Sequence, residues 1–268
     1  ITYGDWSSDV CSSDLYNPQK YLGAPGHINS KLHWFYWESY TTWLSGFGLF
    51  CVLYLWQAQV YLVDPSVYAW STHAAGFTAL AFLMGFWFVY DTLCKTLGRQ
   101  PQGERWLMGV LLLLVAFLCW LTNHLYAGRA AFVIMGATLA TTMSANVFFC
   151  IIPGQRKVVN ALTSGQPWDE KALAVYGQLG KQRSVHNTYF TLPVLFTMIS
   201  NHFGGLYGHD WNWVLLLLIS LSGALVRVWF VQRHKGNANP LVLASGLVIL
   251  GLTALLSLPR NPDMGSGP

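Results

Sequence analysis

Charge is scarce in this sequence: only 10% of its 268 residues are Asp, Glu, Lys or Arg, while 53% are hydrophobic. Soluble domains carry roughly a quarter charged residues, so a soluble enzyme of this composition is excluded. Paired cysteines are lacking as well. Cysteines stand at 11, 51, 94, 119 and 150, with no CxxC or CxxCH, and the chain offers no attachment point for a covalent c-type haem, a zinc knuckle or an iron–sulfur cluster. P-loop, GxGxxG and Ser-His-Asp patterns are missing, and no internal repeat supports a transporter built from repeated halves. The opening ITYGDWSSDVCSSDL has neither a cationic n-region nor an apolar h-region, so it is not a signal peptide. Residues 1–15 read as a non-native, adaptor-like or disordered segment and are set apart from the fold.

What the chain has in abundance is apolar length. Windows rich enough to cross a bilayer occur at about 41–62, 70–93, 106–126, 129–152, 186–203, 211–231 and 240–258. The expected fold is therefore all-α, a polytopic transmembrane bundle of about seven spans over 16–258, followed by a truncated Pro/Gly-rich linker at 259–268. If the spans alternate, 13 of the 15 Lys and Arg collect on one side, and only Arg129 and Arg260 fall on the other. The positive-inside bias makes the crowded side cytoplasmic, with the chain start inside and its end in the periplasm of a bacterial inner membrane. These cations are explained as topology determinants, and no nucleic-acid partner is needed for them.

The stretch His186–His202, HNTYFTLPVLFTMISNH, carries an imidazole at each end and Pro193 near its middle. Its sixteen steps at ~1.5 Å cover roughly 24 Å, most of the hydrocarbon thickness. Ionisable rings in such a span usually pair, bind metal or carry protons. Pro193 leaves the Tyr189 carbonyl without its usual donor, so a bend or polar contact is expected there. Residues 151–184 read as a long hydrophilic connection containing an amphipathic helix near 168–180. Gly136, Ala137, Ala140, Ser144 and Ala145 read as helix-packing positions, with Asn146 as packing glue beside them.

Depth sorts the histidines. His73, His124 and His202 fall at the outer ends of three different spans, while His33 and His186 fall at the inner face. Two imidazoles from different helices at one depth are how membrane cytochromes hold a b-type haem, so His73, His124 and His202 are candidate iron ligands, with Arg129 as a propionate partner.

The segments LHWFYWESYTTWLSGF, NHLYAGRAA, SANVFFCIIPGQRKVV and GKQRSVHNTYFTLPVLFTMISNHF resemble those of the bacterial membrane-bound urate hydroxylases, whose membrane part is called the urate oxidase N-terminal domain. The resemblance covers most of 16–235. It implies oxidation of urate to 5-hydroxyisourate in purine catabolism, with electrons passed to a cytochrome c rather than to oxygen. The family usually has a further membrane helix upstream, and many members end in a cytochrome c domain. Here that c-type haem is expected on a separate chain or on a domain missing beyond residue 268.

Given that resemblance, a urate site is expected at the inner face. Urate is a flat anion that needs in-plane donors, a cation, a stacking surface and a base. Gln182, Arg183 and Asn187 supply donors and charge, Trp34 a ring, and His186, His33 and Glu38 candidate acid–base groups. A competing reading is a permease, or a haem-b electron-transfer subunit, that recognises an anionic purine without transforming it.

Overall fold

The computed structural model describes residues 36–100, 102–164, 169–234, 236 and 238–258. Among them every regular element is a helix. In chain order these are α1 (Tyr36–Phe50), α2 (Ala58–Tyr61), α3 (Thr72–Thr96), α4 (Gly103–Leu125), α5 (Gly128–Ala145), α6 (Ile152–Thr163), α7 (Glu170–Ile199), α8 (Gly204–Tyr207), α9 (Asn212–His234) and α10 (Pro240–Leu256). Side chains start several of them. Ser71 Oγ accepts from the Ala74 amide, Asp169 from Lys171, and Asn239 from Leu241, each meeting one of the donors that a first turn leaves open.

Four helical stretches are long and apolar enough to cross a bilayer, namely Thr72–Arg99, Gly103–Leu125, Gly128–Thr163 and Asn212–Arg233, and Pro240–Leu256 adds a shorter apolar helix. Large apolar side chains such as Trp56, Phe77, Leu113 and Leu241 point out of the bundle. A bilayer covers such a surface, and water does not. This is a membrane protein.

The two other expected spans are helical but differ from the simple picture. The first, 41–62, is broken into α1, a π turn at Cys51–Trp56 and α2, because Gln57 leaves the helical region. The other, 186–203, is the second half of the 30-residue α7, whose first half is polar. The hydrophilic connection expected at 151–184 holds α6 as well as the helix expected near 168–180, which is the first part of α7. It is a helical hairpin, in which α5 runs through a second π turn (Asn146–Ile151) into α6, and α7 returns beside it, with Lys157 Nζ 3.3 Å from Tyr176 Oη. A hairpin meets the backbone polar groups internally, which a loop of that length cannot do near a membrane.

Two apolar clusters hold the bundle. One joins α3, α4, α5, α7 and α9 through Phe86, Leu111, Phe132, Leu139, Val194 and Leu216, and the other joins α1, α3 and α5 through Phe50, Tyr54, Leu83 and Ile134. Close approach relies on small residues. A Cβ on Gly136 would collide with the Thr197 side chain, and one on Gly223 would lie 3.0 Å from Leu192 Cβ. Gly223 thus lets α9 pass Pro193, which α7 accommodates without ending. Between α2 and α3 the loop turns on Asp64, which accepts from Ser66 Oγ at 2.6 Å and Ser66 N at 3.0 Å. Those two donors hold its carboxyl below the usual range.

Candidate functional site

Most Lys and Arg sit at one end of the bundle, where α3 ends, α4 and α7 bring their polar turns, and α5 passes into its π turn. Four helical elements bring polar side chains together there, most of them buried. Asp91 on α3 accepts from Arg183 Nη2 on α7 at 2.6 Å, and Lys95 Nζ, one turn further on, lies 2.6 Å from its other oxygen. Arg183 is 2% exposed, and its guanidinium also lies 4.8 Å over the Tyr90 ring. Burying a guanidinium is tolerable only with such pairing.

His186, one turn along α7, is buried as well. Its Nδ1 is 2.9 Å from Tyr90 Oη and its Nε2 is 3.0 Å from Glu104 Oε1 at the start of α4. Gln182 Nε2 donates to the second Glu104 oxygen at 2.7 Å. Asn146, the first residue of the π turn, donates to Tyr90 Oη at 3.1 Å and to Asn187 Oδ1 at 2.9 Å. π turns inside α-helices recur at functional sites, and this one places a fully buried amide between α3 and α7.

Two groups that act in one direction only set the direction of the two amides. The Met143 carbonyl can only accept, so Asn187 Nδ2 donates to it at 3.0 Å, and Asn187 Oδ1 must accept from Asn146. Arg183 can only donate, so Asn146 Oδ1 accepts from its Nη1 at 3.4 Å and Asn146 Nδ2 points at Tyr90. With the Tyr90 hydrogen on His186 Nδ1, the imidazole proton lies on Nε2 and points at Glu104. One buried donor, Arg183 Nε, has no acceptor.

Gln182, Arg183, His186 and Asn187 are thus brought together, with their polar atoms turned to Tyr90, Asp91, Glu104, Asn146 and Met143. Glu38 lies exposed in the first turn of α1. His33 and Trp34 lie outside the described residues.

Residues 4–257 match the family model described as urate oxidase N-terminal. The chain belongs to that family. No curated protein and no solved structure gives a match. In this urate oxidase N-terminal chain the sequence reading gave no role to Tyr90, Asp91 or Glu104, and it read Asn146 as packing. The available signal was their common depth, because each polar residue lies at the cation-rich end of an apolar helix.

At the opposite end stand His73, His124 and His202, the expected iron ligands. All three are exposed, and His124 donates from Nδ1 to the Trp120 carbonyl at 2.7 Å. Arg129 lies 5.0 Å over the Tyr61 ring. Among the described residues no group of three or more His, Cys, Asp or Glu is gathered to hold a metal. The three rings are exposed, whereas a b-type haem is held between two imidazoles across an apolar slot.

Proposed function

We propose that this chain is the membrane part of an oxidoreductase that hydroxylates urate to 5-hydroxyisourate. Urate and water give 5-hydroxyisourate, two protons and two electrons, and the electrons pass to a cytochrome c on a separate chain or a following domain. The cation-rich end faces the cytoplasm of a bacterial inner membrane, and the cytochrome docks on the periplasmic side. Family membership supports urate as the substrate, and one observation carries the placement of its site: the convergence of Arg183, Gln182, His186 and Glu104 at one end of the bundle.

The chemistry of the purine suits this set. Its carbonyls accept from Gln182 and from Arg183 Nε, the donor left unmet in the network. Its ring N–H groups donate to Glu104, whose side chain is 50% exposed and forms the mouth of the network. Glu104, oriented by His186, receives a proton from the reacting centre, because a carboxylate tied to an imidazole is held in one geometry for transfer. Arg183 and Asn187 hold the network in shape, with Arg183 bridging Asp91 to the purine.

The test is urate-dependent reduction of added cytochrome c by membranes holding the full chain, with oxygen-18 water as the oxygen source. Label in 5-hydroxyisourate and loss of turnover in Arg183→Lys and His186→Ala are expected. Normal insertion of both variants with unchanged urate kinetics would refute the site, and urate flux without oxidation would make the chain a permease.

A further inference from the structure

We propose that Arg227, inside the span formed by α9, holds the phosphate of an anionic phospholipid from the leaflet at the cation-rich end. The inference is independent of the urate site above.

Arginine keeps its proton in any protein environment, so inside an apolar span its guanidinium has to meet an anion or an aromatic face. Arg183, Arg129 and Arg233 have each met one. Arg183 has Asp91 and the Tyr90 ring, Arg129 lies over Tyr61, and Arg233 lies 5.3 Å over the Trp229 ring. Arg227 has neither. Among the described residues it enters no hydrogen bond, ion pair or cation–ring contact, and its Nε is buried without an acceptor.

The helices around it hold no spare anion. α9 packs on α4, α7 and α10. Neither α9 nor α10 contains an acidic residue, α7 contains only Glu170, and α4 contains only Glu104. The close approach of Gly223 to Leu192 fixes the register of α9 against the oppositely running α7, and Arg227, one turn nearer the cation-rich end, lies level with Thr188. Glu170 opens α7 18 residues before Thr188, roughly 27 Å away along the axis. Glu104 is already engaged by Gln182 and His186.

Depth says where the missing anion comes from. Arg227 precedes Arg233, the last residue of the span, by six residues, or ~9 Å. It lies on the hydrocarbon side of Trp229 and Phe230, whose rings pair at 4.9 Å and belong to the aromatic belt of the interface. An arginine stem reaches from that depth to the phosphate level, and the residue is only partly buried, so a headgroup can approach it. Paired phosphate oxygens match the guanidinium fork. The Lys and Arg gathered at this end favour a lipid of net negative charge over a zwitterionic one.

The test titrates the delipidated full chain in mild detergent with phosphatidylglycerol, phosphatidylcholine and inorganic phosphate, read by native mass spectrometry and by thermal unfolding. One phosphatidylglycerol should bind and raise Tm, phosphatidylcholine should bind about tenfold more weakly, and inorganic phosphate should not stabilise the chain. Arg227→Met should fold well, because it removes an unpaired charge from an apolar span, and should bind phosphatidylglycerol about tenfold more weakly or worse, with Arg227→Lys between the two. Arg233→Gln should stay within about twofold of the native affinity. An undiminished response in Arg227→Met, or an equal loss in Arg233→Gln, overturns the site, the second by reducing it to bulk surface charge. Stabilisation by inorganic phosphate alone, or by urate in an Arg227-dependent way, overturns the lipid as the occupant.

Discussion

The two ends of the bundle hold the same kinds of residue and treat them oppositely. At the cation-rich end His186 and Arg183 are 1% and 2% exposed, and all but one of their nitrogens have partners contributed by other helices. At the other end His73, His124 and His202 are exposed, and the bond that His124 makes returns to its own helix. An imidazole that bonds within its own turn is a local feature. One that bridges α3 and α4 from α7 makes its charge state depend on three helices at once, and chemistry is built on that dependence.

Breaking the buried end should cost most. Arg183→Ala leaves Asp91 buried with Lys95 as its remaining cation, and a loss of about 3–5 kcal/mol is expected in thermal unfolding in detergent. Joint replacement of Asp91 by Leu and Arg183 by Met should restore much of that stability without restoring urate turnover. That outcome would separate the function of the pair from its contribution to the fold.

Tyr90→Phe is a smaller cut through the same network. It strips His186 Nδ1 and one Asn146 donor of their partner, for about 1–3 kcal/mol of stability. With its Nδ1 acceptor freed, His186 should lose its single tautomer, which nitrogen-15 NMR of labelled histidine reads directly. A single Nε2–H form persisting in the variant would contradict the directed chain of bonds.

The opposite end should respond least. His73→Ala, His124→Ala and His202→Ala should each shift stability by no more than about 0.5 kcal/mol and leave the visible absorption spectrum unchanged. A haem signal lost in any one of them would reinstate that end as a cofactor site and remove the contrast between the two.

Some of this was legible beforehand. Gln182, Arg183, His186 and Asn187 fall at i, i+1, i+4 and i+5, which is one face of a helix, so their meeting follows from periodicity alone. Glu104 was passed over because it precedes the apolar window of its span and reads as an interfacial charge. Asn146 was read as packing because small residues surround it, and nothing in a linear pattern announces the π turn that re-aims it. For the outer histidines the depth was readable, but the direction each faces about its helix axis was not.

The sequence by itself determined the membrane class, the all-helical architecture, the crowding of cations at one end and the family. These follow from hydropathy, composition and local motifs, which act residue by residue along the chain. Only the tertiary structure decided that Arg183 pairs with Asp91, that His186 joins Tyr90 to Glu104, and that 151–184 is a helical hairpin. Those outcomes depend on how each helix is rotated against its neighbours. Rotation is set by close approaches such as Gly136 against Thr197 and Gly223 against Leu192, and it involves residues far apart in sequence.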